Sequence, residues 1–157
     1  MNDFIIVNTL DELDEESKQL VRKAQETLQH AYAPYSKFSV GAALLLDNDE
    51  VITGTNQENA AYPVGMCAER VALFAMASRY PGMGLKKLAV AARNEYTLSL
   101  SPATCCGSCR QVMLEFEQRQ NKAFEVVMQN LDHKWVKAPS AESLLPFSFT
   151  KLGMERG

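Results

Sequence analysis

The fold of this chain is decided by residues 67–92, CAERVALFAMASRYPGMGLKKLAVAA. The first part, residues 67–80, is rich in helix formers and apolar on most faces, which predicts a largely buried helix. The turn PGMG at residues 81–84 ends this helix, and the apolar run over residues 85–92 predicts a strand. A helix followed directly by a strand is typical of an α/β fold.

The preceding part of the chain predicts a helix and a hairpin. Thr9 and Glu12 form a capping-box pattern, and the apolar residues that follow recur at helical spacing. We therefore expect a helix over residues 10–31. Alternating apolar residues predict a strand over residues 38–46, and a polar turn connects it to a returning strand over residues 51–56.

The part that follows predicts further alternation of helices and strands. After a loop over residues 93–105, the pattern predicts a helix over 107–118, strands over 124–128 and 133–137, and a short helix over 141–145. Two consecutive helix crossovers predict parallel neighbours among the strands. The predicted fold is α/β, a three-layer α/β/α sandwich around a mixed sheet of about five strands.

The composition is that of an ordinary globular protein. A length of 157 residues suits one domain, so we expect residues 1–157 to form a single domain. Apolar residues make up 46% and charged residues 22%, which excludes a disordered chain. No apolar run approaches the roughly 20 residues of a membrane helix. A net charge of −3 lacks the basic footprint of a polynucleotide-binding protein, so we expect no nucleic-acid partner.

The chain has four cysteines, and its first residues indicate the kind of cellular compartment in which they occur. The opening residues, MNDFIIVNTLDELDEESK, have no basic region, so we expect no secretory signal and a reducing, cytoplasmic compartment. In such a compartment, clustered thiols hold a metal more often than they form disulfides.

Three of the cysteines lie at predicted helix starts. Cys67 begins one helix, and Cys106 and Cys109 form a C-x-x-C pair at the start of the next. That spacing brings two sulfurs to one tetrahedral ion, and a helix N-terminus favours the thiolate that binds zinc. We therefore predict one Zn²⁺ held by these three residues. Three protein ligands leave the fourth position for water, which is the pattern of a catalytic zinc site.

Two charged residues follow Cys67 in the first helical turn. Glu69 is too close in sequence to be a convenient second ligand, so we predict that it handles the proton of the bound water. Arg70 lies three residues after Cys67 and therefore on the same helical face. Zn²⁺ and three thiolates together carry a net charge of −1, which weakens the Lewis acidity of the ion. A guanidinium donating to the sulfurs would restore some of this Lewis acidity.

At this point the chain resembles the homotetrameric type of cytidine deaminase. The matching stretches, in order, are AYAPYSKFSVGAALL (31–45), NQENAAY (56–62), CAERVALF (67–74), CGSCRQV (106–112) and LLPFSF (144–149). A ligand, a glutamate two residues later and a distant C-x-x-C are also the signature of zinc deaminases. The resemblance implies zinc-dependent hydrolysis of cytidine and 2′-deoxycytidine to the uridine forms and ammonia, as in pyrimidine salvage. It also implies a homotetramer with sites at subunit interfaces.

The resemblance implies roles for residues that bind the nucleoside. Asn56 and Glu58 resemble the pair that hydrogen-bonds the ribose, which suits a carboxylate acceptor and an amide that both donates and accepts. Phe38 resembles the aromatic residue that packs on the pyrimidine.

Three further residues complete the site that the resemblance implies. The Ala68 backbone N–H would meet the pyrimidine carbonyl, and the Thr104 carbonyl would meet the departing amino group. Phe149 resembles the phenylalanine that family members supply to the site of a neighbouring subunit. The chain departs from the family at Cys105, where a proline usually precedes the C-x-x-C.

Two other interpretations stay open at this stage. The substrate could be another aminopyrimidine, such as a nucleoside antibiotic or a base on nucleic acid. The protein could instead be a non-catalytic module with a structural zinc, which needs a fourth ligand from Cys105, His30 or His133. That second interpretation leaves Glu69 without a role.

Overall fold

The computed structural model describes residues 3–155. Residues 1, 2, 156 and 157, which the single-domain prediction includes, lie outside the described residues. The helices and strands are β1 (Ile5–Val7), α1 (Glu15–Glu26), β2 (Phe38–Leu46), β3 (Val51–Thr55), α2 (Ala68–Arg79), β4 (Leu85–Asn94), α3 (Gly107–Gln120), β5 (Glu125–Gln129), β6 (Trp135–Ala138) and α4 (Lys151–Glu155).

The strands form one mixed sheet of six strands in the order β1-β6-β5-β4-β2-β3. Only β4 and β5 pair in parallel among the described strands; the other neighbours are antiparallel. The predicted mixed sheet is confirmed, with six strands where about five were expected. The extra strand is β1, whose Ile6 pairs with Val136 at the edge of the sheet.

The helix crossovers differ in part from the prediction. The crossover through α3 joins the direct parallel neighbours β4 and β5. The crossover through α2 joins β3 and β4, which run in the same direction but have β2 between them. Strand β2 pairs with β3 along one edge and with β4 along the other, so it separates the two strands that this crossover joins.

Helices cover both faces of the sheet, which confirms the three-layer arrangement. Alternate residues of the central strands face opposite layers, as the pleat of a strand requires. On one face, Ala43 and Ala89 pack in a buried cluster with Leu20 and Val21 of α1. The other face packs against α2 and α3, and its buried residues include Leu44, Leu88, Val90 and Val126 from the sheet with Leu73 and Met113 from the helices.

Helix α2 lies directly on β3, and this close approach positions the candidate site. A Cβ atom at Gly54 would lie 2.6 Å from the Ala72 nitrogen and 2.7 Å from the Ala68 oxygen. Only glycine permits this contact between the strand and the helix backbone. It brings the first turn of α2 next to the end of β3, where Asn56 follows.

The first predicted helix, over residues 10–31, is wrong in its bounds. The capping box of Thr9 and Glu12 is present but caps only a single 3-10 turn at Leu10–Glu12. Leu13 then has an extended backbone, and Asp14 caps α1 by accepting from the Ser17 N–H at 3.0 Å. Two capping signals therefore compete within six residues, and the second one starts the α-helix.

The remaining predicted elements lie within two residues of their observed bounds, with the segment at 141–145 forming a 3-10 turn at Glu142–Leu144. The short helix α4 has no predicted counterpart. Within residues 3–155, no helix is both long and apolar enough to span a membrane.

Candidate active site

Three thiols lie together where two helices begin. Cys67 is the N-cap of α2, Cys106 is the N-cap of α3, and Cys109 lies in the first turn of α3. All three Sγ atoms lie within 4.8 Å of one another, and those of Cys67 and Cys106 are 3.8 Å apart. A tetrahedral zinc site with Zn–S bonds of about 2.3 Å has sulfur–sulfur edges of about 3.8 Å. The three side chains therefore fit a zinc ion.

Local backbone geometry places these sulfurs. The Cys106 sulfur accepts from the Cys109 N–H at 3.4 Å, as an N-cap side chain does. Both helices direct their N-terminal ends toward the sulfur cluster, where unpaired N–H groups and the helix dipole stabilise negative charge. The fold thus provides a favourable setting for thiolates.

Hydrogen bonds further stabilise charge on Cys67. The hydrogen bond with Cys109 lowers the pKa of the Cys67 thiol to about 5, and Arg70 lowers it as well. The same bond raises the pKa of Cys109, its partner. The Arg70 Nη2 atom lies 3.5 Å from the Cys67 sulfur, on the helical face where the spacing placed it.

Glu69 is a buried carboxyl beside the three thiols. Its side chain lies in the first turn of α2, and the residue is only 4% exposed. Burial raises the pKa of Glu69 above its ordinary value, and the nearby Cys67 adds to this effect. A carboxyl with a raised pKa can both take and return a proton near neutral pH.

The metal group has three members among the described residues. Cys105, His30 and His133, the candidates for a fourth protein ligand, do not belong to it. This geometry disfavours a structural zinc, which requires four protein ligands. The three-cysteine group instead leaves one position of a tetrahedral ion open.

A cleft of about 680 Å³ lies in front of the thiols. Its lining contains Cys67, Cys106 and Glu69 together with the predicted binding residues Phe38, Asn56, Glu58, Ala68 and Thr104. A volume of this size is ordinary for a small-molecule site. The structure therefore brings most of the predicted residues to one cavity.

Asn56 is held at the cleft by the backbone of β2. Its Oδ1 accepts from the Val40 N–H at 2.9 Å, and its Nδ2 donates to the Phe38 carbonyl at 2.9 Å. Each bond uses one donor or one acceptor position, so a second N–H and a second lone pair remain for a ligand. The same two bonds link Asn56 to the strand that carries the Phe38 ring.

Glu58 is held by the loop that enters β2. Its Oε1 accepts from the backbone N–H groups of Tyr35 and Ser36 at 2.9 and 3.2 Å. Its hydrogen bonds, first of all with Ser36, lower the pKa of Glu58. The side chain is therefore an oriented carboxylate, and its Oε2 can accept a hydrogen bond from a ligand hydroxyl.

The segment before the C-x-x-C forms part of the wall of the cleft. Pro102, Ala103 and Thr104 line it, and the Ala103 N–H donates to the Gln129 carbonyl at 3.0 Å. This bond attaches the segment to the end of β5.

Phe149 does not line the cleft of its own chain. Its ring is exposed, with 66% of the residue accessible, and its carbonyl accepts from Gln111 Nε2 at 2.9 Å. The structure therefore places this predicted site residue outside the cavity that contains the others.

Sequence reasoning missed two aromatic residues of the cleft. Tyr35 and Tyr62 both line it and meet edge to face, with ring centroids 5.9 Å apart. Both lie in stretches that match the family, so the signal was present in the sequence. Their roles were not singled out because exposed tyrosines in loops are common.

Residues 14–124 match the family model described as the cytidine and deoxycytidylate deaminase zinc-binding region. The chain belongs to this deaminase family. It is 38% identical to a cytidine deaminase of Sporosarcina psychrophila over 135 residues, which cover 85% of this chain and 91% of the relative. A cytidine deaminase of Halalkalibacterium halodurans is also 38% identical, over 85% of this chain and 93% of its own.

Solved structures of the family have the same fold. The cytidine deaminase of Burkholderia pseudomallei superposes with a TM-score of 0.70 at 39% identity, covering 87% of this chain and all of that one (100%). A cytidine deaminase of Mycobacterium tuberculosis superposes with a TM-score of 0.66 at 32% identity, covering 87% of this chain and 99% of its own.

Proposed function

We propose that this protein hydrolyses cytidine and 2′-deoxycytidine to uridine and 2′-deoxyuridine, releasing ammonia. The observation that carries the proposal is a three-cysteine metal group with a buried glutamate beside it, at one end of a nucleoside-sized cleft. Membership of the deaminase family and the cytidine deaminases among its relatives support the same reaction.

Cys67, Cys106 and Cys109 would hold a zinc ion, which when bound would lower the pKa of a water toward neutrality and make it available as the nucleophile. Glu69 takes a proton from the attacking water and delivers it to N3 of the pyrimidine, which makes C4 electrophilic. The water oxygen bonds to C4, and Glu69 passes the second proton to the amino group. The C4–N4 bond then breaks and ammonia leaves, so one carboxyl acts as both base and acid.

The walls of the cleft orient the nucleoside in this proposal. Asn56 and Glu58 hold the ribose hydroxyls. Asn56 uses the N–H and the lone pair of its amide group that are not bonded to the backbone, and Glu58 uses its Oε2 atom. Phe38 packs on the pyrimidine ring. The Ala68 N–H donates to the pyrimidine carbonyl, since a first-turn N–H has no partner within the helix. The Thr104 carbonyl accepts from the amino group.

Arg70 acts through the ligands rather than on the substrate. Its contact of 3.5 Å with the Cys67 sulfur withdraws negative charge from a centre whose zinc and thiolates together sum to −1. This preserves the Lewis acidity on which activation of the water depends.

We also propose a homotetramer in which Phe149 enters the cleft of a neighbouring subunit. The exposure of its ring outside its own cleft supports this, as does the nearby Phe147, which is also exposed. Exposed aromatic side chains of this kind are typical of subunit interfaces. We also propose a reducing, cytoplasmic location, which the absence of a disulfide among the four cysteines supports.

The substrate class is tested by rates on cytidine, cytosine, cytidine monophosphate and a single-stranded oligonucleotide. The Asn56–Glu58 pair requires a ribose, so we expect the highest kcat/KM on cytidine or deoxycytidine and a large loss on free cytosine. The net charge of −3 disfavours the oligonucleotide. Faster turnover of the oligonucleotide than of cytidine would contradict the proposal.

A further inference from the structure

Residues 145–149, here called the C-terminal arm, leave the core of the protein immediately after Leu144. Leu144 is buried in the core between the sheet and the helices, whereas Phe147 is 96% exposed and Phe149 is 66% exposed. No helix or strand among residues 3–155 includes the arm. Its direction therefore depends on contacts between side chains and its backbone.

Helix α3 contacts the backbone on both sides of this point. The Glu117 carboxyl group, which is buried, accepts from the Ala141 N–H at 2.7 Å and from the Glu142 N–H at 3.0 Å. At the far end of the arm, Gln111 Nε2 donates to the Phe149 carbonyl at 2.9 Å. One helix thus holds both the segment that precedes the arm and the residue that ends it.

Arg110 connects the start of the arm to the segment that contains the C-x-x-C. Its Nη1 donates to the Leu144 carbonyl at 3.3 Å, and its Nε donates to the Cys105 carbonyl at 2.8 Å. Cys105 directly precedes Cys106, and Arg110 directly follows Cys109. One guanidinium therefore joins the residues beside two predicted zinc ligands to the residue where the arm leaves the core.

The chemistry of arginine suits a link between two carbonyls. The guanidinium is a rigid planar group whose Nε and Nη1 atoms donate in different directions, whereas lysine offers a single ammonium. None of the ion pairs formed within residues 3–155 involves Arg110. Its charge thus strengthens the two hydrogen bonds to the carbonyls, since a charged donor binds more strongly than a neutral one.

We propose that Arg110 is a positioning residue for the C-terminal arm and, through the arm, for the cleft of the neighbouring subunit. The proposal rests on the homotetramer of the proposed function, in which Phe149 enters that cleft. One side chain then places both the zinc-binding segment of its own subunit and an aromatic ring in the next. An arginine that only braced its own zinc-binding segment would affect its own site alone.

Limited proteolysis of the zinc-loaded protein tests the hold on the arm without any turnover. Chymotrypsin cleaves after aromatic residues, and its rate follows the population of locally opened chain. We expect Arg110→Gln to raise the rate of cleavage after Phe147 and Phe149 by about 3- to 10-fold, because two charge-assisted hydrogen bonds are lost. The rate of cleavage after Tyr96, which is 80% exposed in the loop after β4, should not change.

Matched variants make the proteolysis decisive. Arg119→Gln makes the same substitution at an exposed position of the same helix and should leave all the rates unchanged. Arg110→Lys keeps the charge but not the planar group, so the arm should still be cleaved faster than in the wild type. Cleavage of the arm at the wild-type rate in Arg110→Gln overturns the proposal. An equal rise at Tyr96 also overturns it, because it indicates general destabilisation.

Mixed assemblies test whether Arg110 acts on the neighbouring site. Wild type is refolded with a large excess of Glu69→Gln chains, so that nearly every active cleft receives its arm from a Glu69→Gln chain. A second mixture uses an excess of chains with both Glu69→Gln and Arg110→Gln. The active clefts in both mixtures keep their own Arg110 and their own zinc-binding segment.

We expect the second mixture to have a KM for cytidine about 3- to 10-fold higher than the first, with a smaller change in kcat per active cleft, because a loosened ring contributes less to binding. Excess chains with Glu69→Gln and Arg119→Gln serve as the control. Equal KM values in the two mixtures overturn the proposal. A wild type that does not deaminate cytidine contradicts the proposed function instead, and the proteolysis then decides whether Arg110 holds the arm.

Discussion

The first turn of α2 places three functional groups within four residues, and each has a different environment. Cys67 presents its sulfur at the helix N-terminus, Glu69 is buried in the cleft wall, and Arg70 turns back to the sulfur at 3.5 Å. The spacing of residues predicted all three placements, because helical geometry is local. The two hydrogen bonds that hold Asn56 to the backbone of β2 could not be predicted in this way, because they join residues 16 and 18 positions apart.

At the residue scale, Arg70→Gln should lower kcat by about 10-fold, because a charge-assisted hydrogen bond to a ligand is lost. Zinc content should not change, since the three ligands remain. Steady-state kinetics and metal analysis measure both quantities. Arg79→Gln, an exposed arginine at the other end of the same helix, is the matched control. An Arg70→Gln variant with wild-type kcat would refute the role of the guanidinium.

Glu58→Gln should raise KM for cytidine by about 10-fold with zinc content unchanged, because the ribose loses a charged acceptor. Glutamine keeps one oxygen for the backbone N–H groups of Tyr35 and Ser36, so the loop is preserved. Titration of the initial rate with cytidine gives KM, and Glu95→Gln serves as a surface control. An unchanged KM would show that Glu58 does not contact the sugar.

At the element scale, β4 is joined to α1 by a buried lysine. Lys87 is 2% exposed, and its Nζ lies 3.2 Å from Asp14, 2.9 Å from Glu16 and 3.3 Å from Glu125. The apolar pattern predicted the strand but not this network, because its carboxylates are distant in sequence. Strand order and β1 were missed for the same reason, since pairing between strands is not local.

Asp14 makes the stability of the protein sensitive to acid. Burial alone would raise the pKa of Asp14, but hydrogen bonds with Lys137 and Ser17 lower it well below its ordinary value of 3.8. Because the pKa of Asp14 is lower in the folded than in the unfolded protein, the ionised carboxylate stabilises the fold above about pH 4. This stabilisation is lost as the pH falls below the pKa of Asp14 in the unfolded chain and toward its pKa in the folded protein. The contribution is about 1 kcal/mol, because Asp14 is 40% exposed and solvent screens its pairs.

Asp14→Asn keeps the helix cap but loses the charge, so it tests this effect. We expect a lower free energy of unfolding than wild type at pH 7, and a difference that shrinks as the pH falls below about 4. Urea unfolding at several pH values measures it, with the exposed Asp132→Asn as a control. A difference that is constant with pH would contradict the electrostatic explanation.

At the scale of the whole molecule, the cleft is lined by Cys67, Cys106, Glu69 and the predicted binding residues other than Phe149. The sequence could suggest its role only through resemblance, because no local pattern shows which residues a second chain supplies. The prediction that the chain forms a single domain also stays a prediction, and one cooperative unfolding transition would support it.

Mixing two inactive variants tests the shared site. Glu69→Ala keeps Phe149, and Phe149→Ala keeps Glu69, so each variant alone should have little activity. Suppose that each site joins two subunits and that equal amounts of the two variants are unfolded and refolded together. About a quarter of all sites should then contain both Glu69 and Phe149. Activity that stays at the level of the separate variants would indicate that Phe149 acts within its own chain or not at all.

In the proposed reaction, a zinc ion held by three cysteines and the Glu69 carboxyl group together deaminate cytidine. The most direct measurement follows the change in ultraviolet absorbance of cytidine with zinc-loaded wild type and with Glu69→Gln at equal metal content. We predict conversion by the wild type and a loss of about 10²- to 10⁴-fold in kcat for Glu69→Gln, as expected for removal of a general acid and base. A zinc-loaded wild type that leaves cytidine unchanged, or a Glu69→Gln variant with wild-type turnover, would contradict the proposed mechanism.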